Sequence, residues 1–142
     1  MNDNLSASLE DYLEIICNLL EASNSVKAVE IAKKLNISRA SVSEALSKLV
    51  DKKLIIYEGH KGISITEEGL KVAKNVIKKH KTFTAFFEDT LGLEKQEAEE
   101  NACKIEHVIS DKLFKRIQKF QKFCNTNKEY IDKFKKEYLT DK

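Results

Sequence analysis

Within ACKIEHVISD, residues 102–111, stand Cys103, Glu106 and His107: a thiol, a carboxylate and an imidazole at positions i, i+3 and i+4. On an α-helix these positions share one face, so the three groups can be aimed at a single point. The chemistry this offers is divalent metal binding, because thiolate, carboxylate and neutral imidazole are each lone-pair donors to first-row ions. Two other places could add donors. His80 is the only histidine besides His60 and His107, and Asp11 with Glu14 supplies two carboxylates at i, i+3 beside an otherwise apolar stripe. Singly, each has a plainer reading: a buried Cys is often just small and apolar, a Glu-His pair is often a solvated face, and acids near a helix start often serve only the macrodipole.

The elements that must position these residues are mostly helical, since the 142-residue chain has no proline and only four glycines to break them. Residues 6–22 place Leu9, Leu13, Ile16 and Leu20 at helical spacing, with Ser6 or Ser8 as cap. KAVEIAKKL (27–35) reads as a second helix, NIS as a turn, and Ser38 as the N-cap of a third helix that buries Val42, Leu46 and Leu49. Two helices joined by a tight turn make a helix-turn-helix. LIIYEGHKGISIT then alternates apolar and polar residues around a turn holding Gly59 and Gly62, which predicts a hairpin and, with the three helices, a winged helix. A long helix is expected from a cap at Thr66 to a stop near Gly92. A fifth helix is expected from about Glu94 to Ile109, a sixth after Ser110, and a charged last one over KEYIDKFKKEYL. The fold class is therefore mainly α, with a winged helix-turn-helix domain over 1–73 and a helical domain over 74–142.

The helix-turn-helix puts Ser38, Arg39, Ala40, Ser41 and Ser43 on the first turns of its second helix. Small polar and basic residues there can approach base edges, while the positive end of the helix dipole meets phosphate. Arg39 suits guanine or phosphate, and Lys48, with the wing's Lys61, suits phosphate. Glu44 is awkward against a polyanion. Helix-turn-helix topology also occurs in folds that never meet DNA, and the hairpin is what favours double-stranded DNA as partner.

Composition excludes several other classes. With 25 basic and 23 acidic residues the net charge of +2 identifies no partner, and any nucleic-acid surface must be a local patch. Three cysteines at wide spacing, Cys17, Cys103 and Cys124, do not make a disulfide framework. Cys17 on an apolar face and Cys124 after an aromatic stripe (Phe114, Phe120, Phe123) are expected in cores. No apolar run approaches the roughly 18 residues of a membrane span, and MNDNLSASLEDYLE lacks the features of a signal peptide, so a cytoplasmic protein without membrane contact is expected.

In LEDYLEII, in the helix-turn-helix and wing, in KKH at 78–80 and in ACKIEHVISD, the chain resembles the iron- and manganese-dependent repressors of the diphtheria toxin repressor family. In length it is similar to the short manganese transport regulator branch that lacks an SH3-like domain. The resemblance spans about Ser8 to Cys124. It implies that Asp11, Glu14, His80, Cys103, Glu106 and His107 are regulatory metal ligands. Asp11 and Glu14 match the manganese branch; Cys103 matches the iron branch instead. The iron branch's ancillary site would want an acid at Thr84 and a histidine at Glu99, and this chain has neither.

The reading that follows is a metal-dependent transcriptional repressor, not an enzyme, that binds a palindromic operator as a homodimer and controls metal homeostasis genes. Fe(II) or Mn(II) is the expected effector, with Co(II), Ni(II) or Zn(II) able to bind in vitro. Metal is expected to join the first helix to the fourth and fifth and so couple metal affinity to DNA affinity. A metal-independent winged-helix regulator sensing a small molecule is the alternative, and it leaves the six candidate ligands unexplained. A zinc hydrolase is a weaker rival, for no HExxH pair or glycine-rich loop is present.

Overall fold

The computed structural model describes residues 5–140; the four that begin the chain and the two that end it, at the outer edges of the two expected domains and including the start of MNDNLSASLEDYLE, lie outside the described residues. Chain contacts divide the molecule into Met1–Ile77 and Lys78–Lys142.

In the first unit, α1 (Ala7–Ala22) starts where Ser6 takes extended angles and its side chain accepts the Leu9 amide. α2 (Ala28–Leu35) closes at Asn36 in the left-handed region, a conformation asparagine tolerates well. That bend leads directly to Ser38, whose hydroxyl accepts the Ser41 amide at 3.1 Å and opens α3 (Arg39–Asp51). Leu9, Leu13, Ile16, Ile31, Val42, Leu46 and Leu49 all enter one core, as the 3.6-residue pattern requires.

β1 (Ile55–Tyr57) and β2 (Ile63–Ile65) pair antiparallel with Ile56 opposite Ser64. Their connection holds a single 3₁₀ turn, Gly59–Lys61. Gly62 has φ +88° and a Cβ there would lie 2.8 Å from the Val26 carbonyl oxygen, so the wing tolerates no side chain at this point. Val26 in turn accepts the Ile63 amide at 2.8 Å, tying the wing to the loop before α2. α4 (Glu67–Ala85) begins at Thr66, whose hydroxyl accepts the Gly69 amide and donates to carbonyl oxygens of the segment that leaves α3. A Cβ on Gly69 would fall on the Leu54 carbonyl, and this close approach holds the start of α4 against the end of the helix-turn-helix.

In the second unit the last turns of α4 pass into a π-helical turn, Phe86–Thr90, before Gly92 stops the helix at φ +71°. Phe83 packs on Phe87 and Phe114, with ring centroids 5.8 and 5.9 Å apart, in a small core that also holds Ala102 and Ile109. α5 (Lys95–Ile105) ends four residues earlier than expected. Ser110 caps α6 (Asp111–Thr126) in an extended conformation, so the chain must leave helical geometry before it, and residues 106–108 form a turn. α7 (Lys128–Phe134) follows and runs on into a second π-helical turn, Lys135–Leu139. Cys17 and Cys124 are both buried, as expected, but Phe120 and Phe123 are about half exposed and do not form a core stripe.

Candidate metal centre and DNA-binding surface

α4 supplies His80 and the end of α5 supplies the remaining donors of the second unit. Glu106 keeps helical angles (φ −57°, ψ −30°) as the C-cap of α5, so the i, i+3 relation to Cys103 survives although the regular helix ends at Ile105. Cys103 is exposed, whereas Glu106 is only 1% exposed. His107 stands in the turn with its side chain 7% exposed.

The Glu106 carboxylate is bracketed by two imidazoles. His80 Nδ1 lies 2.7 Å from Glu106 Oε2, and His107 Nε2 lies 3.3 Å from Oε1. Cys103 Sγ is within 4.8 Å of a Glu106 carboxylate oxygen. A carboxylate taken out of water costs several kcal/mol unless positive charge or hydrogen bonds compensate it. Here nitrogen donors of two histidines and a nearby sulfur gather around it, a donor set that fits a first-row divalent cation. Structure thus places three of the other expected ligands, His80, Cys103 and His107, each beside Glu106. Asp11 and Glu14 belong to the first unit, where they sit one turn apart on α1, both half-buried.

At the positions of the iron branch's ancillary site, Thr84 Oγ1 is buried without a hydrogen-bond partner. Glu99 is turned to solvent, 3.9 Å from the Lys95 ammonium. Lys79, next to His80, is also buried. It reaches Asp111 at the first turn of α6 (3.6 Å) and lies over the Phe114 ring, thereby fixing α4 to α6 beside the candidate centre. Residue spacing alone gave no sign of this lysine, because its partners are more than thirty residues away. The same unit carries a cleft of about 470 Å³ lined by residues including Asp89, Thr90, Cys124, Lys128 and Ile131, and none of the candidate ligands lines it.

All seven residues expected to meet DNA are exposed: Ser38, Arg39, Ala40, Ser41, Ser43 and Lys48 on or next to α3, and Lys61 in the wing. Two of the expected cations are engaged. Lys48 Nζ lies 2.7 Å from Glu44 Oε1, and Lys61 Nζ lies 3.0 Å from Glu58 Oε2. Their spacings, i to i+4 and i to i+3, could have signalled both pairs. The Lys48 hydrogen bond and charge hold the Glu44 carboxyl below its ordinary value. On α1, burial pushes up the Tyr12 hydroxyl and the Cys17 thiol, and neighbouring carboxylates add to both shifts.

Two family models match this chain: the iron-dependent repressor N-terminal DNA-binding domain over residues 4–63, and the iron-dependent repressor metal-binding and dimerisation domain over residues 66–134. A relative described as an uncharacterized helix-turn-helix-type transcriptional regulator, from Methanocaldococcus jannaschii, is 40% identical over 82% of this chain and 94% of its own length. The transcriptional regulator MntR of Shouchella clausii is 29% identical over 88% of this chain and 87% of its own. Among solved structures, the manganese regulator SloR superposes with a TM-score of 0.73 at 31% identity, covering 81% of this chain and 54% of that one. The chain therefore spans about half the length of that solved relative.

Proposed function

This chain belongs to the iron-dependent repressor family, whose members are transcriptional repressors and not enzymes, and we propose that it is a repressor that binds a palindromic operator as a homodimer when loaded with Fe(II) or Mn(II). The observation that carries the reading is the buried Glu106 carboxylate between His80 and His107.

His80, Cys103, Glu106 and His107 would hold the ion from the second unit. Asp11 and Glu14 are assigned as the ligands from α1 on their residue types, their spacing and the resemblance. A bound divalent cation would supply positive charge beside this buried carboxylate. The chain supplies the rest: Glu106 is oriented by its own hydrogen bond to His80, and Lys79 anchors the segment that carries His80. Thiolate at Cys103 favours Fe(II), the carboxylates keep Mn(II) in contention, and relatives bear both metals in their names. By linkage, whatever metal does for DNA affinity DNA must do for metal affinity, typically about 1 to 3 kcal/mol.

For a symmetric pair, α6 offers Leu113, Phe120 and Phe123, each about half exposed, as apolar surface for the second copy. A pair of α3 helices would then read two half-sites.

A metal titration of DNA binding tests this reading. Binding of an operator duplex should rise with added Fe(II), handled anaerobically, or Mn(II), and His107→Ala and Glu106→Ala should each abolish the response while the protein stays folded and dimeric. Unchanged metal-dependent binding in both variants would overturn it.

A further inference from the structure

The outward stripe of α3 consists of Ala40, Glu44 and Ser47, opposite the buried Val42, Leu46 and Leu49 at 3.6 residues per turn. Glu44 thus occupies the middle of the surface that the recognition helix turns to a polyanion, with its side chain 70% exposed. A carboxylate in that place repels phosphate and weakens binding to every sequence alike, unless some base edge offers it a donor.

We propose that Glu44 is a specificity-determining residue of the recognition helix, accepting a hydrogen bond from the exocyclic amine of a cytosine in the major groove. The inference rests on the reading of α3 as a recognition helix. An ionised carboxylate only accepts hydrogen bonds. In the major groove guanine presents two acceptors and thymine an acceptor and a methyl, and both are rejected. Adenine pairs its donor with the adjacent N7 acceptor, which repels the second carboxylate oxygen. Cytosine presents the N4 donor alone.

The neighbours of Glu44 support this use. Ala40, Ser43 and Ser47 are small and uncharged, so they leave room for a base edge and do not cancel the charge. Lys48 lies 2.7 Å from Oε1 and fixes the carboxylate on the helix surface before DNA arrives. Its ammonium has three donors, so it can keep Glu44 and meet a phosphate as well. The same contact holds the Glu44 carboxyl below its ordinary value.

The experiment is selection from a randomised duplex library by the full chain with Mn(II), and with Fe(II) under anaerobic conditions, for the parent, Glu44→Gln and Glu44→Ala. The parent should enrich cytosine at one fixed position of each half-site. Glu44→Gln should exchange that cytosine for adenine, which glutamine can meet through N6 and N7, and Glu44→Ala should lose the preference there, on the order of tenfold, with the other positions unchanged. If both variants enrich the parent's sequence and merely bind all DNA more tightly, Glu44 is a solvated charge and the inference falls alone. If the parent selects no sequence with either metal, the repressor reading falls and takes this inference with it.

Discussion

In the first unit the charged residues stand outside a closed apolar core, whereas the second draws a carboxylate inside and turns several aromatic rings out. Among the described residues, sixteen buried side chains from α1 to α4 make the first core, and four make the second around Phe83. Glu106 is buried in the second unit while Phe120, Phe123 and Tyr130 are about half exposed or more. Chains rarely retain a buried carboxylate and exposed aromatics for stability, since the one costs desolvation and the other forgoes hydrophobic gain. The difference sets the two units apart: the second holds a buried carboxylate that calls for a compensating charge and exposed rings that call for a covering surface.

The largest expected effects come from truncating the two cores. Leu46→Ala should cost about 2 to 5 kcal/mol and Phe83→Ala about 3 to 5 kcal/mol, because each removes a fully buried side chain. What separates them is rescue. Saturating metal should recover part of the melting temperature lost in Phe83→Ala and leave operator binding by Leu46→Ala impaired, as measured by thermal unfolding and by gel shift. Equal rescue of both variants would break the comparison.

Metal itself comes next. A cation at 100 to 1,000 times its Kd that binds only the folded form adds roughly 2.7 to 4.1 kcal/mol. Calorimetry should show this gain on adding Mn(II) and its loss on adding a chelator. The gain should shrink on acidification, because thiol and imidazole ligands must shed protons to bind.

Much of this contrast was legible in the sequence where local rules apply. Ser6, Ser38, Thr66 and Ser110 each precede a periodic run, and each hydroxyl accepts an amide three residues on. Gly59 and Gly62 marked the wing for the same kind of reason. What escaped depends on distant residues. The end of α5 follows from the cap of the next helix, and the π-helical turn at Phe86–Thr90 has no local composition signal. Periodicity shows that α6 has an apolar face but not what covers it: Cys124 at its end is buried as expected, while Phe120 and Phe123 are about half exposed. At the candidate centre, residue types and spacing picked out Cys103, Glu106 and His107. The Glu106–His80 contact spans 26 residues: residue type made His80 a candidate donor, and no spacing rule could pair it with Glu106.

A smaller effect sharpens the second half of the comparison. Cys103 is exposed, so its sulfur is open to exchange with solvent ligands in a way that buried Glu106 is not. Cys103→Glu should shift the ratio of Fe(II) to Mn(II) affinity toward Mn(II), on the order of tenfold or about 1.4 kcal/mol. It should also remove the thiolate charge-transfer absorption of the Co(II) form. The same Co(II) spectrum in parent and variant would remove Cys103 from the ligand set.

The smallest effect uses a matched pair of helix caps, one in each unit. Ser38 accepts the Ser41 amide at 3.1 Å and Ser110 accepts the Leu113 amide at 3.2 Å, so alanine at either place leaves one backbone donor without its cap and should cost about 1 kcal/mol of stability. Equal structural cost should be followed by unequal function. Ser38 also touches the Ser41 hydroxyl at 2.9 Å and fixes the first turn of the recognition helix, so Ser38→Ala should weaken operator binding and leave metal affinity of the free protein within twofold or so. Ser110 follows the 106–108 turn that presents Glu106 and His107, so Ser110→Ala should weaken metal binding first and lose operator binding only through that loss. Raising Mn(II) should then restore operator binding in Ser110→Ala and not in Ser38→Ala. Restoration in both, or in neither, would show that the two units do not divide recognition from sensing in the way their polar groups indicate.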